Sequence, residues 1–267
     1  MMKKSLMALV LFFTLGLTSC FDVFTDLAVK DDGSGVLSTK VDMSSMMAMI
    51  SGMGGMGEEK MKMDTSFVMG SLVDSAEALT AEEKEILRKA SIEMNMDSES
   101  GTMVFNLHVP FKNLAEVEKI RLAMEKADLV GKSLSKLGKE GAAEEGEDEA
   151  NPLLGQMSTD GKEQGPGLPT PEEYFTYHFE DGKISRKQIP EKIAVLANDE
   201  LMGKMNEAIG QGLPAMRMVY TVKLPRPVKK AEGKNVVVSD DKKTITIENT
   251  LDELFDDPTK FEFLIEF

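Results

Sequence analysis

One cysteine, two histidines and no tryptophan occur among 267 residues. A lone cysteine cannot form an internal disulfide, so core packing alone must stabilise the fold. The two histidines each fall inside an alternating apolar run, His108 between Leu107 and Val109 and His178 between Tyr177 and Phe179. Strand alternation sets each opposite its neighbours, on the solvent face. No Gly-x-Ser-x-Gly elbow for a nucleophile is present. The glycines at 52–57 lack the Gly-Lys-Ser/Thr ending of a phosphate loop. With 46 acidic residues a carboxylate pair is always available, but nothing marks one. The chain is expected not to be an enzyme and to carry no cofactor.

A long apolar run is also missing. The longest, Leu6 to Leu17, follows Lys3 and Lys4 and falls short of the roughly 20 residues a bilayer span needs. A short basic start followed by such a run reads as a secretory signal peptide, excluded from the fold. It ends at Leu17-Thr18-Ser19-Cys20, which resembles the lipobox of bacterial lipoproteins. That resemblance implies a diacylglyceryl group on the Cys20 thiol, cleavage before Cys20 and acylation of the new amine, by palmitate or a similar chain. Two or three acyl chains, at about 0.8 kcal/mol per buried CH₂, hold a protein stably on a bilayer. The expected organisation is therefore a signal peptide at 1–19 and one envelope domain at 20–267, anchored to a membrane on its extracytoplasmic side.

Removing residues 1–19, with Lys3 and Lys4, from 267 residues of charge −15 leaves 248 residues at −17. That acidity argues against nucleic acid, whose affinity rests on cationic side chains. It also argues against electrostatic docking to anionic lipid heads.

The remaining pattern is that of hairpins and helices. Phe21 to Lys30 and Val36 to Met43 flank Asp31-Asp32-Gly33-Ser34-Gly35, a hairpin turn. Thr80 with Glu83 forms a capping box for a helix to about Lys89. Ile92, Met94 and Met96 alternate, as do Met103, Phe105, Leu107 and Val109, giving a second hairpin. Asn113 opens a helix with Leu114, Val117, Ile120 and Met124 on one face. Tyr174–Glu180 with Lys183–Ile189, and Val236–Val238 with Thr244–Ile247, make two more hairpins. A helix near Asp199–Ile209, a strand at Met216–Leu224, a cap at Thr250/Glu253 and a final strand from Phe261 complete the series. Between about 138 and 171, Gly, Glu, Asp and Pro dominate, predicting one disordered acidic loop. The strands on either side read as one sheet. The predicted class is α+β, a mostly antiparallel sheet built from hairpins with several packed helices.

The turn at Asp32-Gly33-Ser34-Gly35, close behind Cys20, resembles bacterial envelope lipoproteins of the LppM-domain type. So do Tyr220-Thr221-Val222-Lys223-Leu224-Pro225, Asn235-Val236-Val237-Val238 and Lys243-Thr244-Ile245-Thr246-Ile247. In that family the return strand usually carries a Trp; here Ile247 stands at about that place. The resemblance covers the two ends, about a third of the chain, through short motifs. It implies a small α/β envelope domain with a concave, lipid-holding sheet and no catalysis.

Methionine is the residue in excess. Met46, Met47, Met49, Met53, Met56, Met61 and Met63 crowd into 18 residues. Thioethers are soft ligands suited to Cu(I), but no His or Cys lies near and no strict spacing is kept. Met43, Met46, Met47 and Ile50 fall at helical spacing, so a short amphipathic helix is the plainer account. Its methionines either pack or form an adaptable apolar surface that takes a hydrophobic ligand, with Met46, Met47, Met49 and Met53 as candidate binding residues. With no spacer between Cys20 and the first strand, the folded body is expected close to the lipid heads. Two functions follow: binding of lipid or another hydrophobic ligand near the membrane, or a structural role that binds another envelope protein. Met-rich copper binding is the minor alternative.

Overall fold

The computed structural model describes residues 22–45, 47, 62–127, 171–211 and 215–267. Residues 1–19, read above as a signal peptide, Cys20, Met46, Met49, Met53 and all but the last residue of the acidic insertion lie outside them. The fold is α+β, with two mostly antiparallel sheets.

The chain opens with β1 (Asp22–Val29) and β2 (Gly35–Asp42). Their turn closes because Gly33 takes φ +80° and the Asp32 carboxylate accepts from the Ser34 N–H (3.0 Å) and hydroxyl (2.7 Å). β3 (Lys62–Val68), which the sequence pattern leaves unassigned, leads to α1 (Gly70–Ser75) and α2 (Ala81–Leu87). The predicted capping box starts α2: the Glu83 N–H donates to the Thr80 hydroxyl (3.3 Å), and the Thr80 N–H donates to the Glu83 carboxylate (2.8 Å). Such a cap contributes about 1 kcal/mol. β4 (Ser91–Asp97) and β5 (Thr102–Phe111) form the second hairpin. In α3 (Ala115–Ala127) the 3.6-residue period buries Leu114 just ahead of it, then Val117, Ile120 and Ala123.

After a 3-10 turn at Pro171–Tyr174 come β6 (Phe175–Glu180) and β7 (Lys183–Gln188). The helical turn α4 (Pro190–Ile193) and helix α5 (Glu200–Gly210) precede β8 (Arg217–Lys223). The chain ends with β9 (Lys230–Glu232), β10 (Val236–Val238), β11 (Thr244–Thr250), α6 (Leu251–Asp256) and β12 (Phe263–Glu266).

Eight strands run in the order β10-β11-β8-β1-β2-β5-β4-β3, and four in the order β6-β7-β12-β9. The expectation of one sheet is thereby corrected. β12 pairs with β7 (Phe263 opposite Arg186) and with β9, building a second layer. Alternation identifies a strand and its apolar face but carries no information about the partner. Within the large sheet β1 and β8 are parallel, and every other pair is antiparallel.

The inner face of the large sheet carries Leu27, Leu37, Leu107, Val109, Val222 and Ile245, all buried. The small sheet covers it from the opposite side, with the Tyr220 and Phe263 rings stacked between the layers at 5.5 Å. The other face of the large sheet bears Asp26, Lys40, Asn106, His108 and Lys223, as alternation requires.

Candidate ligand-binding face

Strand register fixes which inner-face residues are neighbours. One row reads Met218, Val23, Val41, Phe105, Met94, Thr65 across β8, β1, β2, β5, β4 and β3. The row nearer the amino end of β1 holds Met103, Met96 and Met63, and the Met43 N–H donates to the Met103 carbonyl (2.8 Å). Met47 closes one helical turn on Met43 (3.0 Å). Met43, Met47, Met96 and Met103 are buried with Val41 in their own apolar cluster, against which Val23, Met63 and Phe105 pack. Of the predicted binding residues, then, Met47 is placed, and it is buried in packing. Met96, Met103, Met94 and Met218, far from the Met-rich segment in sequence, join the same end of the sheet. Each buried methionine side chain contributes about 1.5–3 kcal/mol.

Coverage of this face is uneven. Leu27, Val29, Leu37, Leu107 and Val109 are sealed, as are Val41 and Met94 in the row of Val23 and Phe105, whereas Val23, Thr25, Thr39, Phe105 and Met218 are only half-buried. These five sit on β1, β2, β5 and β8, interior strands of the large sheet. Partial exposure there marks a strip that is incompletely covered, around the buried Val41 and against the methionine cluster on which Val23 and Phe105 pack. The uncovered strip lies at the amino end of β1, which begins two residues after Cys20, a reach of about 7 Å. Tyr220 pairs with Thr25 in register and borders the strip.

Beside Tyr220 the small sheet contributes a feature that sequence reasoning missed. Ile184 and Arg186 both point inward from β7, so an arginine stands where the period calls for an apolar residue. Arg186 is 4% exposed. Its guanidinium carbon lies 5.1–5.9 Å from the ring centroids of Phe175, Tyr177, Tyr220, Phe261 and Phe263, a cation–π environment that supports the buried charge. Nε donates to the Phe261 carbonyl and Nη1 donates to the Tyr177 hydroxyl at 3.4 Å. The remaining N–H groups of the five meet no acceptor among the described residues. No carboxylate among them lies within 4.0 Å of it. Burial works against its charge, but an arginine side chain stays a cation.

The Tyr220 hydroxyl is fully buried with no hydrogen-bond partner among the described residues. Burial pushes its ionisation upward, so it remains a neutral donor. Glu172, from the turn before β6, feels both Arg186 and Arg121, yet burial raises its carboxyl above the ordinary value. Arg121 caps the Tyr177 ring at 4.9 Å and pairs with Glu118 (3.0 Å) and Glu125 (3.6 Å). Glu172 thus lies within electrostatic range of one arginine from α3 and one from β7.

On the opposite, solvent face, His108 Nδ1 meets the Ser38 hydroxyl at 2.9 Å and its Nε2 lies 4.0 Å from Glu93. The three stand on neighbouring strands β2, β5 and β4, whose backbone N–H groups are engaged in the ladder. His178 is exposed on the outer side of β6, as alternation predicts. Among the described residues no group of three or more His, Cys, Asp or Glu side chains is placed to hold a metal ion. No described helix is long and apolar enough to cross a membrane.

No protein-family model matches the chain, and no curated protein matches it. Among solved structures the chain is similar to the NMR structure of the Mycobacterium tuberculosis LppM folded domain. The identity is 7% and the TM-score 0.38, over 93% of this chain and 90% of that one.

Proposed function

We propose that this chain is a bacterial envelope lipoprotein, anchored through Cys20, that binds lipid or another hydrophobic ligand close to the membrane and performs no catalysis. The observation that carries the reading is the partly exposed inner strip of Val23, Thr25, Thr39, Phe105 and Met218 on interior strands. Its position at the amino end of β1 brings it to the anchor side of the fold. Methionine side chains around it, flexible and polarisable, suit a surface that adapts to varied acyl chains. The non-catalytic reading draws support from the Ser38–His108–Glu93 group, which stands on strands β2, β5 and β4, whose own backbone N–H groups are engaged in the ladder and not free for an oxyanion.

Two measurements test this. Cys20→Ser should move the protein from the membrane fraction to the soluble fraction and abolish incorporation of labelled palmitate; retention of both would sink the anchor. Native mass spectrometry of the full chain with total envelope lipid should show a bound lipid mass that Phe105→Asp removes. A chain that stays bare would refute the ligand-binding reading. It would then favour a protein partner, for which the exposed Val237 (66%) on edge strand β10 is the natural contact.

A further inference from the structure

Arg186 and Tyr220 meet between the layers, with the guanidinium carbon 5.9 Å from the Tyr220 ring centroid, and Tyr220 borders the strip. Among the described residues Arg186 uses two of its five N–H groups. The Tyr220 hydroxyl uses none of its capacity among the described residues. Buried polar groups are almost always hydrogen-bonded, so a cation and a donor left short at one spot call for an acceptor. An anionic acceptor suits Arg186, which among the described residues has no carboxylate within 4.0 Å. It must also be planar and small, because five rings enclose the guanidinium. A carboxylate meets both requirements and matches the fork of a guanidinium in two parallel hydrogen bonds.

We propose that Arg186 and Tyr220 bind the carboxylate head of a single-chain amphiphile, whose tail lies along Thr25, Val23, Met218 and Phe105. The register supports this continuity, with Tyr220 opposite Thr25 and Met218 opposite Val23 on the same face. Successive residues on one face of a strand are about 7 Å apart, so a long acyl chain spans the strip with several methylenes to spare. Glu172 is the competing anion. Burial already lifts its carboxyl above the ordinary value, against the pull of Arg186 and Arg121. The binding residues then differ from those singled out in the sequence. Met47 closes the end of the sheet, while the head-group contacts come from β7 and β8.

This assignment rests on the uncovered strip being a ligand surface, and the experiment separates the two claims. The full chain, purified in a mild detergent and stripped of lipid, is titrated with oleate, methyl oleate and acetate by native mass spectrometry. Oleate should bind about tenfold more tightly than methyl oleate, the worth of one charge-assisted interaction. Tyr220→Phe keeps the ring and should weaken oleate about tenfold while leaving methyl oleate unchanged. Arg186→Met should erase the preference altogether; the phenylalanine variant carries the test if that one fails to fold. Equal affinity for oleate and methyl oleate overturns the carboxylate site and leaves the apolar strip standing. Acetate binding as tightly as oleate overturns the amphiphile in favour of a free carboxylate. Binding of neither long-chain probe overturns the ligand surface and the head-group site together.

Discussion

Replacing Tyr220 by Phe should make the ligand-free protein more stable. The hydroxyl is buried and has no partner among the described residues, so it forfeits its hydrogen bonds to water on folding and regains none. Leaving such a group unsatisfied costs about 1–3 kcal/mol. Removing it changes almost no volume and keeps the ring stacked on Phe263 at 5.5 Å. Allowing for relaxation around Arg186, the expected gain is about 1–2 kcal/mol, or roughly 2–4 °C in Tm per kcal/mol for a chain of this size. The assay is equilibrium urea unfolding of delipidated wild type and variant. The midpoint should rise while the slope stays the same. Saturating oleate should then reverse the order, because a ligand stabilises by mass action only the protein that binds it well. A ligand-free loss of more than about 1 kcal/mol would show that the hydroxyl has a partner in the folded state. The argument for a head-group site beside Arg186 would go with it.

Other expectations are independent of ligand. Met103→Ala, at a site 4% exposed, should cost about 2–4 kcal/mol. Met103→Leu should cost less than about 1.5 kcal/mol in the same urea assay. Equal losses would mean that the sulfur itself matters and would reopen the soft-metal reading. Gly35→Ala should cost about 3 kcal/mol, because a Cβ there runs into the Ala28 carbonyl and the Phe111 ring; near-normal yield and midpoint would refute that packing. The Glu83 carboxyl is held at about 2, chiefly by Lys126 and then by the Thr80 N–H and hydroxyl. A lowered carboxylate contributes stability that is present above its ordinary value of 4.5 and is lost as pH falls through about 2. Glu83→Gln should therefore flatten the urea midpoint against pH within that window, and an unchanged profile would refute the assignment.

Local chemistry was legible in the sequence, and long-range pairing was not. Thr80 with Glu83 announces a helix start because both halves of the device lie within four residues. The Asp32-Gly33-Ser34 turn is legible for the same reason, since one carboxylate and one positive φ close it. β3 was hidden because its outward residues, Lys62, Asp64 and Ser66, are polar while its inward ones include Thr65, which dilutes the alternation. The second sheet was hidden because β12 chooses β7 through side chains that meet only in three dimensions. At the candidate site, methionine abundance singled out Met46, Met47, Met49 and Met53, of which the described residues include Met47 alone. Met47 is sealed, whereas Met218 and Phe105 line the uncovered strip. Arg186 had a signal, a charge at an inward position two residues from Ile184, but its neighbour Tyr220 lies on another layer. Only the folded chain brings the Arg186 guanidinium to the Tyr220 ring, whose hydroxyl has no partner among the described residues.

The parallel pairing of β1 with β8 has a consequence for how the molecule comes into being. Asp22 and Arg217, which meet across that pair, are separated by 195 residues along the chain. β1 and β2 can zip together as soon as their turn has emerged, yet one side of β1 then presents unsatisfied amides until β8 arrives. An unpaired strand edge of that length invites pairing with another chain. Ladders that close over such separations also form slowly. Completion of the large sheet thus waits for nearly the whole polypeptide, and the nascent protein has to be shielded along β1 for most of its synthesis.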